Sequence, residues 1–586
     1  AKIPGFEDAG YDTAQAVLEE CAKFNQEVLA PLNWEGDKNP SFHNGSGVST
    51  TPGFKEAYRQ FSEAGWQGLQ HPSQYGGQGL PKLIGAACGE MLNSANMSFA
   101  LCPMLTDGAI EALLTAGSDA MKAKYLDKLI SGQWSGTMNL TEPQAGSDLA
   151  AVRTRAEPLP NGTYKIFGTK IYITYGEHDM AENIIHLVLA RVQGAPEGVK
   201  GISLFVVPKV LVNDDGSLGE RNDVHCVSIE HKMGIKASPT AVLQYGDGTA
   251  ASIADSAGPG AVGFLVGEEN RGLEYMFIMM NAARYAVGVQ GISIAERAYQ
   301  KAVQYARDRV QSRPVDGSLP KAGPIIHHPD VRRMLMTMRA YTEGCRAMAA
   351  VAAAAYDASH HHPDEQVRQH NQAFYEFMVP LVKGYSTEMS IDVASLGVQV
   401  HGGMGFIEET GAAQYYRDAK ILTIYEGTTA IQANDLIGRK TARDGGRTAK
   451  ALAAQIEATE GLLRQGSAQA QAVAKRLGAA RQAFLDVVDF VCAGAKASPN
   501  AVYAGSVPYL MLAGNLVAGW QMGRALLAAE QLLGSGEGED FGAAFLQAKI
   551  TTARFYADHI LSKAPGQRDA IVEGADCVTE LALESF

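Results

Sequence analysis

The chain has 586 residues and a net charge of −13 at pH 7, from 50 basic and 63 acidic residues. Hydrophobic residues make up 46% and charged residues 19%, which excludes a disordered chain, and the length calls for two or more packed units. The acidic balance gives up the general attraction to phosphate, so nucleic-acid binding would need a local basic patch.

The cysteines are Cys21, Cys88, Cys102, Cys226, Cys345, Cys492 and Cys577. An odd, scattered set without C-x-x-C predicts neither a disulfide framework nor a zinc ribbon, and points to a reducing compartment. The first residues show no basic start and no apolar signal run. The best membrane candidate, 507–520, is too short to span and contains Asn515. The expectation is a cytoplasmic protein with no membrane or nucleic-acid partner; a mitochondrial matrix location is also compatible.

Residues 11–130 read as helical with loops. Ala14, Val17, Leu18 and Cys21 recur at helix spacing, and Pro and Gly clusters mark loops at 31–53 and 71–81. Residues 138–268 read as β. Two short strand-like runs, 164–167 and 170–174, flank Gly168-Thr169, and "NIIHLVLARV", "GISLFVVPKV" and "TAVLQYGDG" follow. Short strands with no long helix between them predict an antiparallel barrel or sandwich. "GPGAVG" at 258–263 fits G-x-G-x-x-G by letter, but it follows the polar run "TAASIADSA" and contains Pro259. A flexible loop is expected there, because a dinucleotide site needs strand, tight turn and helix.

Residues 269–440 return to helix. A helix over 330–356 opens at Pro329-Asp330, with Val331, Met334, Leu335, Met338 and Tyr341 on one stripe, and the polar linker "ASHHHPDE" ends it. The His run 360–362 lacks metal-ligand spacing and reads as a solvated loop; His327-His328 reads as helix entry. Residues 441–586 form a second all-helical region, broken near Ser498-Pro499 and 534–538, with thirteen basic and fifteen acidic residues. The fold class is mainly α with a central β-domain.

Two segments carry candidate chemistry. In "MNLTEPQAGSDLAAVRT" (138–154), hydroxyls and free N–H groups in a turn suit hydrogen bonding to a flavin ring or a phosphate. A helix N-cap at Ser147 or Asp148 explains the same residue types and is the simpler reading. In 399–440, Gly402, Gly403 and Gly405 let backbone approach a ligand closely. Glu426 stands between Tyr425 and Gly427 in "ILTIYEG". A carboxylate among apolar groups loses solvation, which suits a general base; an ordinary Glu in a surface loop fits as well.

"TEPQAGSDLA", "TKIYIT", "KMGIKASPT", "ENRGLEYMF", "QVHGGMGF" and "RDAKILTIYEGT", in that order, resemble the acyl-CoA dehydrogenase family over about residues 60–440. The further 441–586 segment resembles the family's C-terminally extended subgroup. The resemblance implies a helical N-domain (1–137), a β-barrel middle domain (138–268), a four-helix domain with the catalytic base (269–440) and an extra helical domain (441–586). It also implies FAD held without a Rossmann motif, partly at a subunit contact.

By resemblance, Glu426 is the base that removes the proton α to a thioester. The thioester carbonyl is polarised by the base's own N–H and by a flavin ribityl hydroxyl, and Ile424 and Tyr425 help to exclude water. Leu140, Thr141, Gly146 and Ser147 match the flavin-contacting turn, and Ser147 also faces substrate. Tyr172, Ile173 and Thr174 match the strand against the isoalloxazine, with Tyr where many members have Trp. Arg309 matches the arginine that reaches FAD pyrophosphate from the neighbouring subunit. Gln399, Gly402 and Gly403 match the adenosine side, and Thr428 and Gln432 match positions after the base. Arg284, Asn281, Tyr425 and Gly427 match substrate-side positions. Asn281 stands where Asp is common, and Ala430 where a flavin-binding Gln is common.

The resemblance implies oxidation of an acyl-CoA to a trans-2-enoyl-CoA, with electron-transfer flavoprotein as acceptor and a homodimer as the assembly. The extended subgroup implies 3-(methylthio)propanoyl-CoA or a related short-to-medium acyl-CoA, or a straight-chain fatty acyl-CoA, as substrate. An acyl-CoA oxidase shares the fold and base. A flavin-binding, DNA-associated stress protein is the alternative of another class, and the charge of 441–586 supplies no basic face for it.

Overall fold

The computed structural model describes residues 2–250 and 258–586, so most of the polar run "TAASIADSA" lies outside the described residues. The chain forms two compact units, divided between Ala286 and Val287, with residues 2–5 counted in the second.

The first unit opens with helices. Helix α1 (Lys82–Ala116) is the core element and helix α2 (Asp119–Ile130) follows, capped by the Ser118 hydroxyl. Asn96 breaks α1 with φ −162° and ψ 90°, and its side-chain oxygen accepts from the N–H of Phe99, capping the second half. Among the described residues α1 is the helix long and apolar enough to cross a bilayer, yet 83% of its apolar window is buried in the protein. The 507–520 run is instead the buried interior of a longer helix, Ser506–Ser535. The stretch 31–53, expected to be loop, contains a helix (Leu32–Lys38) and a ribbon of Phe42–His43 with Val48–Ser49. Pro31 opens that helix, where its missing N–H costs nothing.

Among the described residues the main sheet has eight strands: β1 (Trp134–Asn139), β2 (Arg155–Pro158), β3 (Tyr164–Thr174), β4 (Asn183–Val192), β5 (Ile202–Pro208), β6 (Val224–Ile229), β7 (Thr240–Tyr245) and β8 (Ala261–Val266). The order β3-β8-β5-β4-β2 returns to β3 and closes a barrel; β1 extends it from β4, and β7 and β6 from β3. Most pairs are antiparallel, as expected, while β1–β4 and β2–β4 are parallel. The two runs expected about Gly168-Thr169 are one strand. Gly168, with φ 153°, lets β3 leave β8, which it pairs through Tyr164–Ile166, and join β7 from Gly168 to Thr174. A Cβ at Gly168 would meet the Thr154 hydroxyl at 2.4 Å, so the close approach requires glycine. Ala261–Gly263, expected to be loop, opens β8, and no helix follows at once.

One face of β1 carries a buried polar row. Ser135 bonds His178 (2.8 Å), Thr137 bonds His186 (2.6 Å), and Asn139 accepts from the Tyr245 hydroxyl (2.8 Å). Period-2 alternation puts all three on one side of the strand.

The second unit is helical. It takes in the end of α3 (Gly272–Asp308), then α4 (Pro329–His361) and α5 (Glu365–His401). Met334, Leu335 and Met338 are buried on α4 as the stripe predicts. The helix, however, runs through His360 and His361, where a linker was expected: the His360 ring stacks on Tyr356 at 4.1 Å and bonds its carbonyl. Helices α6 (Thr429–Asp435), α7 (Ser506–Ser535) and α8 (Ala543–His559) follow. The C-terminal segment packs on α5 at glycines: a Cβ on Gly514 would meet the Tyr385 ring at 2.3 Å, and one on Gly384 would meet Leu510 at 2.7 Å. The Tyr385 and Tyr556 hydroxyls meet at 3.0 Å.

Burial, then the nearby cations of Lys209 and Arg221, pulls His186 down to about 3; burial and Lys209 do the same to His178. Both stay neutral in the fold while the unfolded chain takes up protons below about 6.5, so their contribution is full above that pH and is lost as pH falls towards 3. His186→Gln removes one such site. Urea unfolding between pH 6 and 4 should show a slope smaller by about one proton, ~1.4 kcal/mol per pH unit. Equal slopes would mean that His186 is protonated in the folded protein.

Candidate active site

In the first unit, the turn after β1 is fixed from beneath by a buried ion pair. Glu142 and Ala145 exchange both backbone hydrogen bonds at 3.0 Å, closing a tight turn over Pro143-Gln144. The Glu142 carboxylate accepts from Lys170 Nζ (2.7 Å), Thr154 Oγ1 (2.8 Å), the N–H groups of Arg153 (2.8 Å) and Thr154 (3.2 Å), and the Gln144 amide (2.7 Å). Lys170 is fully buried and also donates to the Leu140 carbonyl at 3.0 Å. Burial works against both charges. The Lys170 ammonium is pulled below its usual range by burial, opposed by Glu142. At Glu142, the Lys170 charge and the hydrogen bonds overcome the effect of burial and hold the carboxyl low.

Lys170 therefore ties the turn to β3. Beside it the Ile171 N–H donates to the Thr141 carbonyl at 2.9 Å. The register then slips: Lys170 faces Leu243 and Ile173 faces Ala241, so two β3 residues oppose one of β7. Tyr172 sits in this bulge with φ 58° and its side chain is 60% exposed, while Ile173 is buried. A left-handed Tyr is uncommon, and bulges that re-aim a side chain concentrate at functional sites. Thr174 pairs with Thr240 at the strand's end. Thr141 and Leu140 are half-buried; Gly146 and Ser147 are exposed, and a Cβ on Gly146 would meet no atom within 4 Å. Asp148 caps the single turn Leu149–Ala151 through Ala150 N–H, so the N-cap reading holds for Asp148 and leaves Ser147 exposed. Asn281 is exposed and Arg284 is buried on the part of α3 that belongs to this unit.

In the second unit, the segment before α6 is held just as closely. Glu426 has φ 55° and Gly427 φ 88°. Lys383 of α5, fully buried, donates to the carbonyls on both sides of Glu426, Leu422 at 2.6 Å and Gly427 at 2.8 Å. The Gln432 amide donates to the Gly427 carbonyl at 3.3 Å, with the Glu426 carbonyl at 3.5 Å. The buried Oε1 of Gln432 has no protein partner. Thr428 caps α6, its hydroxyl accepting from Ile431 N–H at 3.2 Å. The Tyr425 hydroxyl donates to Gln290. Glu426 itself is half-buried.

Tyr425, Glu426, Gly427, Thr428 and Gln432 are thus one constellation. Gln399, Gly402 and Gly403 form another at the end of α5, where Gly402 has φ 60° and a Cβ on either glycine would meet open space. Arg309 is exposed beyond α3, its guanidinium donating to Gln311 at 3.3 Å. Sequence reasoning named the strained residues but not the lysines that fix them. Lys170 falls within a strand run and Lys383 within a helical one, with no motif to single either out. The available signal was a lone Lys within an otherwise apolar run, "VPLVKGY" in the second case.

The chain matches the acyl-CoA dehydrogenase N-terminal domain over 11–133, the middle domain over 137–247, the C-terminal domain over 270–440, and the acetyl-CoA dehydrogenase C-terminal-like domain over 450–582. It is 58% identical over 572 residues to a 3-methylmercaptopropionyl-CoA dehydrogenase of Ruegeria pomeroyi, covering 98% of this chain and 94% of that protein. The chain belongs to the acyl-CoA dehydrogenase family. A broad-specificity linear acyl-CoA dehydrogenase of Mycobacterium tuberculosis is 35% identical over 603 residues, covering 99% of this chain and 95% of that protein. The fold matches a crystal structure of a Bacillus anthracis acyl-CoA dehydrogenase complexed with FAD, with TM-score 0.74 and 23% identity over 98% of this chain and 90% of that one. In this acyl-CoA dehydrogenase the extension is therefore a recognised domain of relatives and not an appended tail.

Removing one partner of a buried ion pair strands the other charge. Lys170→Met should lower the stability of the first unit by roughly 3–5 kcal/mol, and adding Glu142→Leu should recover part of that loss. Denaturant unfolding of both variants checks this; a single variant as stable as the parent would remove the ion pair from the account.

Proposed function

We propose that this acyl-CoA dehydrogenase oxidises 3-(methylthio)propanoyl-CoA, or a closely similar short acyl-CoA, to the trans-2-enoyl thioester, with Glu426 as base. The observation that carries the reading is Glu426 held in a strained conformation by buried donors, in a chain 58% identical to a dehydrogenase named for that substrate. Strain of this kind costs about 1–3 kcal/mol and persists only where the surroundings enforce it.

The residues present fit FAD. Tyr172 offers an exposed aromatic face at a strained bulge, open space adjoins Gly146, Gly402 and Gly403, and the buried Gln432 Oε1 awaits a donor. In this reading Leu140, Thr141, Gly146, Ser147, Tyr172, Ile173, Thr174, Thr428 and Gln432 hold the flavin end. Arg309, Gln399, Gly402 and Gly403 hold the pyrophosphate and adenosine end. FAD, when bound, supplies the acceptor for the β-hydrogen and its electron pair.

The chain's own task is the α-proton. Glu426 takes it, and the electron pair left on the α-carbon becomes the new double bond as the β-hydrogen leaves. The α-proton of a thioester is a weak acid, so the carbonyl must be polarised, and the backbone N–H of Glu426 is the chain's donor for that. Asn281 and Arg284 are the substrate-side polar groups. The exposed apolar side chains of Met404 and Phe406, beside Gly402 and Gly403, support pairing with a second copy, a homodimer in which Arg309 serves the neighbouring site. Electron-transfer flavoprotein is the proposed acceptor.

Anaerobic addition of an acyl-CoA series to the purified protein tests the reading. Flavin absorbance should bleach fastest with 3-(methylthio)propanoyl-CoA, and Glu426→Gln should slow bleaching by roughly 10²–10⁴-fold while FAD stays bound. No bleaching with any thioester would sink the proposal, and faster bleaching by long straight chains would replace its substrate.

A further inference from the structure

We propose that Lys383 is a positioning residue for proton abstraction. It fixes the carbonyls that bracket Glu426 and so sets where the carboxylate points. The proposal rests on Glu426 being the base. Leu422 and Gly427 lie four residues before and one residue after Glu426, and both carbonyls take a hydrogen bond from one buried Nζ. The segment between them contains the left-handed Glu426, a conformation that a free loop would relax. The Gln432 amide adds a second donor to the Gly427 carbonyl, and the Thr429 hydroxyl donates to Glu388 of α5 at 2.7 Å. The base segment is thus tied to α5 by two of its residues, Lys383 and Glu388.

The anchor is itself braced. Next to Lys383, Gly384 lies against Leu510 of α7, and Tyr385 reaches the Tyr556 hydroxyl of α8. The C-terminal segment thereby backs the stretch of α5 that holds the base. Loss of the Lys383 donors should leave substrate binding largely intact and displace the carboxylate. A misplacement of about 1 Å costs on the order of 10²-fold in rate.

The test isolates proton transfer from flavin reduction. (Ethylthio)acetyl-CoA has as many heavy atoms as 3-(methylthio)propanoyl-CoA, with sulfur at the β position. It has α-hydrogens and no β-hydrogen to transfer. In D2O the α-proton passes to Glu426, the electron pair stays on the α-carbon as the thioester enolate, and a deuteron returns; mass spectrometry counts the exchange. Lys383→Met holoenzyme should exchange on the order of 10²-fold more slowly than the parent, with the analogue's dissociation constant within about threefold. A purely structural role would instead lower FAD content and binding together. Exchange within about threefold of the parent, where Glu426→Gln abolishes it, overturns the role of Lys383 and leaves the base in place. Exchange undiminished in Glu426→Gln overturns the base and this proposal with it. Should Lys383→Met fail to fold, Lys383→Gln decides in its place: slower exchange with the analogue's dissociation constant within about threefold supports the role of Lys383, and exchange within about threefold of the parent overturns it.

Discussion

Six non-glycine residues among those described have a left-handed backbone, and two of them, Tyr172 and Glu426, lie in segments fixed by a fully buried lysine. Tyr172 and Glu426 both have φ between 50° and 60°. Lys170 ties the turn of residues 140–145 to the strand that presents Tyr172, and Lys383 ties the segment that presents Glu426 to α5. A surface loop would relax such strain. Here relaxation would leave a buried amine without its carbonyl or carboxylate partners, at a cost above that of the strain itself. The same device thus appears once in each compact unit: Lys170 meets a carboxylate and a carbonyl, and Lys383 meets carbonyls on either side of Glu426.

The order of elements was legible because periodicity reports burial. The stripe of Met334, Leu335 and Met338 and the β-branched runs of 183–192 and 202–208 each landed in the element expected. The misreadings came from positions where a local signal has two meanings. Gly168 reads as a turn, yet in β3 it is the hinge at which a continuous strand changes partners. The His run reads as polar linker, yet aromatic stacking on Tyr356 keeps it helical. Pro31 reads as a loop marker and opens a helix instead.

The candidate site divides in the same way. Glu426, Tyr172 and the 140–147 turn could be named because the order of motifs resembles a known family. The forces that hold them could not be named. A lysine within an apolar run does not disclose which carbonyls it meets, since those come from residues 30 and 44 positions away. The extension was legible as length and as helix. Its close packing on α5, through Gly384, Tyr385 and Gly514, became visible only in three dimensions.

The proposed proton abstraction depends on the conformation of Glu426. The most direct measurement is a crystal structure of the FAD-loaded protein with (ethylthio)acetyl-CoA bound. Glu426 should still be in the left-handed region, both Lys383 hydrogen bonds intact, and the carboxylate about 3–3.5 Å from the thioester α-carbon. A carboxylate turned away from that carbon, or a bound complex in which the segment relaxes and Lys383 loses the Gly427 carbonyl, would contradict the proposal.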